Sequence, residues 1–121
     1  MAFGLGQDSK PVFALPGNPV STLVTYRQFV RPGPLKMAGL EDADRTVHLR
    51  ATLVEDIPKV DGKRHFVRGV CSSAGNRLEV CSTGSQSSAV LTSLVKANCL
   101  IILPEEKRNP TAGELVEIEL L

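Results

Sequence analysis

The chain is poor in aromatic residues and carries almost no net charge. Its 121 residues include no Trp, one Tyr and four Phe, and the formal net charge is +1. Stacking on nucleic-acid bases needs aromatic side chains, and binding along a phosphate backbone needs a basic surface. Both shortages argue against a nucleic-acid partner.

Long apolar runs and paired cysteine motifs are also missing. No apolar stretch approaches the roughly 20 residues that cross a bilayer, so no membrane partner is expected. Cys71, Cys81 and Cys99 form no C-x-x-C pair and lie in apolar runs, which favours buried, reduced thiols over a disulfide framework or a zinc site. His48 and His65 lack partners at metal-ligand spacing. Reduced thiols predict a cytoplasmic protein.

An unusual turn, FALPGNPVS, lies near the start of the chain. The apolar run before it, at 11–15, is too short for a helix and predicts a buried strand. After the turn, apolar residues recur at about 3.6-residue spacing, and Pro19 occupies the favoured first position of a helix. The helix is predicted to end near Arg31, because Pro32-Gly33-Pro34 opposes continuation, with room for a short extension through 35–37. The pattern indicates a strand, a tight turn and a helix.

After Gly39 the pattern changes to that of a β domain. From Thr46, apolar and polar residues alternate, which is typical of a half-buried strand. Clusters of turn-forming residues separate the apolar runs that follow. Further strands are predicted at 64–71, 77–82, 98–103 and 114–121. Residues 87–97 instead predict one short helix with serines at its start.

The predicted fold is mainly β and is built from two unequal parts. Residues 1–38 supply one strand and one helix, which cannot bury both apolar faces alone and look like the tail of an α/β domain. Residues 46–121 supply enough strands for a complete, mostly antiparallel β domain with one short helix. We therefore expect a strand-turn-helix remnant followed by a small β domain.

Three segments have the chemistry to bind an oxyanion. The Pro-Gly-Asn-Pro turn would present N–H groups at a helix start, with the Ser21 hydroxyl beside them. Arg68 could clamp an anion with its planar, five-donor side chain. The run STGSQSS, at 82–88, offers hydroxyls before the short helix. Each segment also has an ordinary structural alternative. The turn can be a plain connector, Arg68 a solvated residue on the outer face of the sheet, and the serine run an ordinary N-cap followed by loop. No general base stands out, so an enzyme built on these segments would act by positioning and charge stabilisation.

Taken in order, four segments resemble one family. The family is that of the molybdopterin molybdenumtransferases, the MoeA and gephyrin family, and the similarity is to its C-terminal part. The four segments are KPVFALPGNPVSTLVTYRQFVRP, HFVRG, STGSQSSAVLTSLVKANCLIILPE and AGELVEIELL. The resemblance implies insertion of molybdate into adenylylated molybdopterin, with magnesium, in molybdenum cofactor biosynthesis. It also implies a four-domain homodimer whose active site lies where the third domain of one subunit faces the fourth domain of the other. Residues 1–38 would end the third domain, and 46–121 would form the fourth, a bent-ribbon, incomplete barrel.

The resemblance assigns roles to seven residues. The loop that lines the pterin phosphate and magnesium would be Pro16, Gly17, Asn18, Pro19 and Ser21. Arg68 and Ser88 would contribute to the molybdate pocket from the fourth domain. Molybdate is a tetrahedral dianion that needs a cation and hydroxyl or N–H donors, so these roles agree with the residue types.

Part of the family pattern is absent from the chain. It begins at MAFG, which resembles an internal point of the third domain, and it lacks the family's K-P-G-K-P lysines, the acidic residues that hold magnesium and the first two domains. We therefore expect a fragment with little or no molybdenum insertion on its own. A non-catalytic scaffold of the gephyrin type, which binds a receptor segment, is the alternative function. The pair of Arg68 and Ser88 separates the two, because a scaffold has no need of it.

Overall fold

The chain is organised as two compact units, each with its own sheet. The structure is a computed structural model that describes residues 1–40, 46–84 and 91–121. The units are Met1–Arg45 and Thr46–Leu121. The first contains a two-stranded sheet and the second a closed five-stranded barrel. The predicted mainly β class is confirmed, and the sheet of the β domain closes completely.

The first unit begins with an antiparallel ribbon of two short strands. Strand β1 (Ala2–Leu5) pairs with β2 (Pro11–Ala14), and the Phe3 and Phe13 rings lie with their centroids 5.1 Å apart. Strand β2 was predicted from its apolar run, but its predicted burial is wrong, because none of its four residues is buried. Strand β1 was not, because a four-residue segment containing glycine has too little periodicity to be recognised. The ribbon is largely exposed, with every β1 residue open to solvent.

The helical region that follows the tight turn continues past Arg31. Helix α1 (Pro19–Thr25) continues through a π-helical segment (Tyr26–Val30) into α2 (Pro32–Met37). The predicted end near Arg31 is therefore wrong, whereas the extension through 35–37 that the sequence allowed is present. The Arg31 N–H donates to the Tyr26 carbonyl at 2.8 Å, a π-type bond, and Pro32 then starts α2 at a position where no N–H partner is needed. No helix in the described ranges is long and apolar enough to cross a membrane.

The second unit is a five-stranded barrel. Its strands run in the spatial order β3-β5-β4-β6-β7, and only β3 and β5 pair in parallel. The strands are β3 (His48–Leu53), β4 (His65–Ala74), β5 (Arg77–Ser82), β6 (Cys99–Leu103) and β7 (Leu115–Leu120). One short helix, α3 (Leu91–Lys96), precedes β6. All five predicted strands and the described part of the predicted helix are present.

Alternate residues of the strands fill the barrel. Val67, Ile101 and Ile118 are partners across β4, β6 and β7, and all three belong to the buried core. Strand β6 differs from the others because all five of its residues are buried. A strand that is apolar on both faces is covered on both sides, as its continuous sequence CLIIL indicates. Part of the barrel's outer face is therefore also interior.

A buried lysine joins two loops of the barrel. Lys59 is only 2% exposed, and its ammonium group donates to the backbone carbonyls of Asp61, Glu105 and Lys107 at 3.2, 3.4 and 2.9 Å. The backbone N–H of Lys59 donates to Asn109 Oδ1 at 2.9 Å. One charged side chain thus donates to three backbone carbonyls of two loops.

Candidate functional site

The Pro-Gly-Asn-Pro turn is a capped helix start. Asn18 is the N-cap of α1, and its Oδ1 accepts hydrogen bonds from the N–H groups of Val20 at 3.1 Å and Ser21 at 3.3 Å. The Thr22 hydroxyl donates to the carbonyls of Pro16 and Asn18. These bonds and the two prolines hold the loop in one shape.

The cap changes how this loop could meet an anion. The first-turn N–H groups expected to face an oxyanion already donate to Asn18, which favours the connector alternative for those two groups. Asn18 has a φ of −78°, and the φ of Gly17 is not positive. Neither residue therefore adopts a left-handed backbone conformation. A Cβ on Gly17 would meet nothing within 4 Å. Gly17 therefore leaves open space on one side of a stiff loop.

Arg68 lies on the outer face of β4 but is not solvated. It is 3% exposed, and its Nε donates to the Ser93 Oγ of α3 at 2.8 Å. Ser93 is also 3% exposed. The alternative of a solvated outer-face arginine is therefore wrong. Burial lowers the pKa of the Arg68 guanidinium, because a charged group is disfavoured away from water, yet an arginine remains protonated at neutral pH.

A second buried charge lies in the same row of the sheet. Arg68 is the register partner of Leu100 on β6, and Leu100 is the partner of Glu119 on β7. Register partners point to the same face, so these three side chains share the outer face of the barrel. Leu100 is 0% exposed and Glu119 is 1% exposed. The outer face thus carries a buried row that includes both a cation and an acidic side chain.

Packing inside the barrel fixes the backbone next to Arg68. A Cβ on Gly69 would lie 3.0 Å from Ile101 Cγ1 and 3.1 Å from both the Cys81 carbonyl oxygen and Cys99 Sγ. The carbonyl is part of a paired strand and cannot retreat, so only glycine fits here. The backbone of strand β4 is therefore held in a fixed position next to Arg68.

The sequence-predicted site residues are only partly brought together by the described structure. Pro16, Gly17, Asn18, Pro19 and Ser21 belong to the first unit, and Arg68 belongs to the second. Ser88 lies outside the described residues. Sequence reasoning missed Ser93 and Glu119, because Ser93 reads as a helix surface residue and Glu119 as the polar position of an alternating strand. One sequence feature indicated that the outer face of the sheet is covered: strand β6 is apolar on both of its faces.

Strand β4 also borders a groove of about 360 Å³, whose lining includes Ile57, His65 and Arg68. His65 Nε2 lies 2.8 Å from Asp61 Oδ1, within ion-pair distance, and the neighbouring His65 lowers the pKa of the Asp61 carboxyl. The sequence did not predict this pairing, because His65 was considered there only as a metal ligand and no other ligand stands at the required spacing. The pairing anchors the start of β4 to the loop that Lys59 organises.

A larger groove of about 480 Å³ lies beside β3 and β5, with Arg50 and Arg77 in its lining. Arg77 donates to Glu79 Oε1 through Nη2 at 2.8 Å and Nε at 3.1 Å, so its charge is compensated. Among the residues that the structure describes, the lining contains none of the predicted site residues. The larger groove therefore does not coincide with the described residues of the predicted site.

The three cysteines are free thiols of unequal burial. Cys99 is buried, whereas Cys71 and Cys81 are half-buried. Burial raises the pKa of the Cys99 thiol to about 12. A thiol with such a pKa is neutral and unreactive at neutral pH, which suits packing in the barrel core. The prediction of burial is thus met fully by Cys99 only.

Comparison with known proteins gives the family. Residues 50–121 match the family model described as the MoeA C-terminal region, domain IV. The chain belongs to this family. It is 40% identical over 106 residues to a molybdopterin molybdenumtransferase of Haemophilus influenzae, covering 87% of this chain and 26% of the relative. It is 38% identical over 109 residues to molybdopterin molybdenumtransferase 2 of Mycobacterium tuberculosis, covering 89% of this chain and 26% of that protein.

The solved structures agree with this MoeA assignment. A molybdopterin biosynthesis MoeA protein from Pyrococcus horikoshii superposes with a TM-score of 0.71 at 28% identity, covering 98% of this chain and 29% of that one. A molybdenum cofactor biosynthesis protein from Pyrococcus furiosus gives the same TM-score and identity and is covered to 40%. The chain spans about a quarter of the length of the curated MoeA relatives that it matches.

Proposed function

We propose that this chain is the C-terminal part of a molybdopterin molybdenumtransferase, which inserts molybdate into adenylylated molybdopterin. The observation that carries the proposal is Arg68, a buried guanidinium held by Ser93 within the segment that matches the MoeA family model. A cation away from bulk water attracts a dianion more strongly than a solvated one does. Molybdate is such a dianion, and it would be a substrate of the reaction rather than a resident cofactor.

The two units would contribute different parts of the site. Arg68 would bind molybdate from the barrel, and Ser88 would add a hydroxyl donor. The loop of Pro16, Gly17, Asn18, Pro19 and Ser21 would line the pterin phosphate, where the open space at Gly17 admits a bulky group. Residues 1–38 would close the family's third domain, and residues 46–121 would be its fourth.

Magnesium fits this chain poorly on its own. In the described ranges, no group of three or more His, Cys, Asp or Glu side chains is placed to hold a metal ion. Asn18 Oδ1, a candidate oxygen ligand in the loop, accepts two backbone hydrogen bonds instead. We therefore assign no magnesium ligand to this chain and derive no step through the ion. Carboxylate ligands would come from the rest of a longer enzyme.

The active assembly would be a cytoplasmic homodimer. In that arrangement the third domain of one subunit faces the fourth domain of the other, so the loop and Arg68 serve together only between subunits. The chain by itself would show little or no molybdenum insertion, because the loop then lacks the groups with which it works. The exposed apolar residues of the first unit, among them Phe3 and Leu5, support this proposal.

A chimera tests the function directly. The C-terminal quarter of the Haemophilus influenzae relative is replaced by this chain, and AMP release from adenylylated molybdopterin is measured with and without molybdate. We expect molybdate-dependent release from the chimera and its loss in Arg68→Ala, with Arg68→Lys intermediate because lysine cannot form a bidentate contact.

The chimera's circular dichroism and thermal unfolding show whether each variant is folded. A folded Arg68→Ala chimera with unchanged molybdate dependence would refute the role of Arg68. A folded wild-type chimera without any AMP release would instead favour the non-catalytic scaffold function.

A further inference from the structure

The groove beside β3 and β5 carries charge of one sign only along its described lining. Its charged lining residues are Arg50 and Arg77, and both are exposed to solvent. The chain as a whole has a formal net charge of only +1, so this part of the surface is more basic than the composition implies. A generally basic surface therefore does not account for the groove.

The groove lies where two parallel strands stop pairing. The pairing of β3 with β5 is limited to two register positions, of which Thr52 with Glu79 is the first. Continued two residues back along both strands, the same register would place Arg50 opposite Arg77. Like charges at opposed positions of neighbouring strands destabilise a sheet. An anion bound between the two arginines would relieve this repulsion.

Arg77 is held in one orientation by an acidic neighbour. Its Nε and Nη2 donate to Glu79 Oε1 at 3.1 and 2.8 Å. Within the described part of the chain, Nη1 takes part in no hydrogen bond or ion pair. Because a guanidinium has five donors in one plane, these bonds fix the plane and leave donors for a second anion.

Arg50 has no compensating partner in the described ranges. Its register partner on β7 is Glu117, but the Glu117 carboxylate contacts His48 Nδ1 instead. Among the described residues, no hydrogen bond or ion pair reaches the Arg50 side chain. An exposed arginine whose cross-strand acid is engaged elsewhere keeps its charge and its donors for a ligand.

The rest of the described lining combines short polar side chains with two leucines. Thr52, Ser73 and Asn76 can each form hydrogen bonds, Leu78 is half-buried, and Leu115 is 64% exposed. The volume of about 480 Å³ is that of an ordinary ligand site. A purely ionic ligand would leave the leucines uncovered. A segment with an apolar side chain between two acids would cover them and meet both arginines.

We propose that this groove binds a short acidic segment of a partner protein. Its carboxylates would pair with Arg50 and Arg77, and an apolar side chain between them would pack against Leu78 and Leu115. Arginine pairs with carboxylates through its planar fork, and arginine with apolar contact is typical of the centre of protein interfaces. The proposal does not depend on the molybdate role of Arg68.

The test is an NMR titration of the isotope-labelled 121-residue chain. The probe is an end-capped peptide of sequence Glu-Leu-Glu-Leu-Glu. The comparison probes are Lys-Leu-Lys-Leu-Lys, which reverses the charge, Glu-Gly-Glu-Gly-Glu, which lacks the apolar side chains, and inorganic phosphate. Backbone amide shifts locate the site, and their dependence on peptide concentration gives the Kd.

The same titration is repeated on four variants. Arg50→Gln removes the charge, Arg50→Lys keeps the charge without the fork, and Leu115→Ser removes an apolar wall. Arg64→Gln changes an exposed arginine of the barrel that is not among the groove's described lining residues, and it is the matched control. The amide spectrum of each variant shows whether the barrel is folded.

We expect the shifts to centre on Gly75 and Asn76, at the turn beside the groove. Arg50→Gln should raise the Kd about fivefold, as loss of one exposed ion pair implies, with Arg50→Lys in between. Leu115→Ser should raise the Kd about threefold, because part of an apolar contact is lost. Arg64→Gln should match the wild type. Raising NaCl from about 0.05 to about 0.5 M should weaken binding.

Absence of shifts in the groove at millimolar peptide would overturn the proposal. Equal binding of the lysine peptide, or an equal rise in Kd for Arg64→Gln, would also overturn it, because the groove's charge would then not decide binding. If the glycine peptide and phosphate bind as tightly as the leucine peptide, the groove is a general anion site and not a docking site for a protein segment. Shifts that grow with protein concentration alone would identify a second copy of this chain as the occupant instead.

Discussion

The two units of the chain bury their apolar residues to very different extents. The barrel has a core in which Cys99, Ile101, Leu103 and Ile118 are completely buried. In the first unit, Val20 and Val30 are the buried apolar residues among those described, and the ribbon leaves Phe3 and Leu5 more than 60% exposed. Elements of regular geometry are present in both, so secondary structure alone does not make a stable domain.

The difference follows from how each sheet treats its edges and faces. The barrel has no free edge, because β3 pairs with both β5 and β7. The ribbon has two edges and one unprotected face, and an isolated two-stranded sheet is only marginally stable in water. The first unit therefore has the regular form of a domain without the burial that stabilises one.

The largest expected contrast is in hydrogen exchange. Backbone amides of β1, β2 and α1 should exchange at least about a hundredfold faster than those of β4 and β6, because opening the first unit exposes little buried surface. Hydrogen-exchange mass spectrometry of the 121-residue chain at micromolar concentration measures this. Equal protection in both units of a monomer would contradict the comparison.

A substitution at Lys59 should destabilise the barrel alone. Lys59→Met keeps the length of the side chain but leaves three carbonyls without their donor, and we expect a loss of about 2 to 4 kcal/mol in the free energy of unfolding. Urea denaturation followed by circular dichroism gives the value. The exposed Lys63, changed to Met, is the control and should be nearly neutral. A loss below about 0.5 kcal/mol would mean that water replaces the ammonium group.

The smallest contrast concerns pH. Hydrogen bonds from Lys107 and Thr111 lower the pKa of the Glu114 carboxyl from 4.5 to about 2. A group with a depressed folded pKa contributes stability that is present above its unfolded pKa and lost as pH falls. Stability of the barrel should thus decrease between about pH 4.5 and pH 2. Glu114→Gln should flatten this decrease, and the exposed Glu106→Gln should not. If the stability of both variants decreases equally steeply as the pH falls, Glu114 does not have this role.

Much of the barrel could be predicted from alternation. His48 and Arg50 are exposed while Ala51 and Leu53 are buried, as the pattern in β3 indicated. Closure of the sheet could not be predicted, because the parallel pairing of β3 with β5 joins distant segments over only two register positions. The π-helical segment was also missed, since it depends on one shifted hydrogen bond rather than on residue periodicity.

The burial of Arg68 could not be predicted from its position in the sequence. Arg68 alternates with apolar neighbours, and alternation says only which face a side chain occupies. Whether that face is exposed to solvent depends on which residues cover it. Leu100 and Glu119 are buried on the same face as Arg68. Likewise, the Asn18 cap could be expected from residue type, but its use of two N–H groups required the loop geometry.

Lys59 gives the barrel an internal counterpart of a bound ion. Three carbonyls converging on one positive centre resemble the oxygen shell of a metal cation, yet the cation in this barrel is covalently part of the chain. It cannot be removed by a chelator or diluted away, and it arrives with the polypeptide during synthesis. The loops beside β4 are therefore held by a positive charge that needs no metal ion from solution.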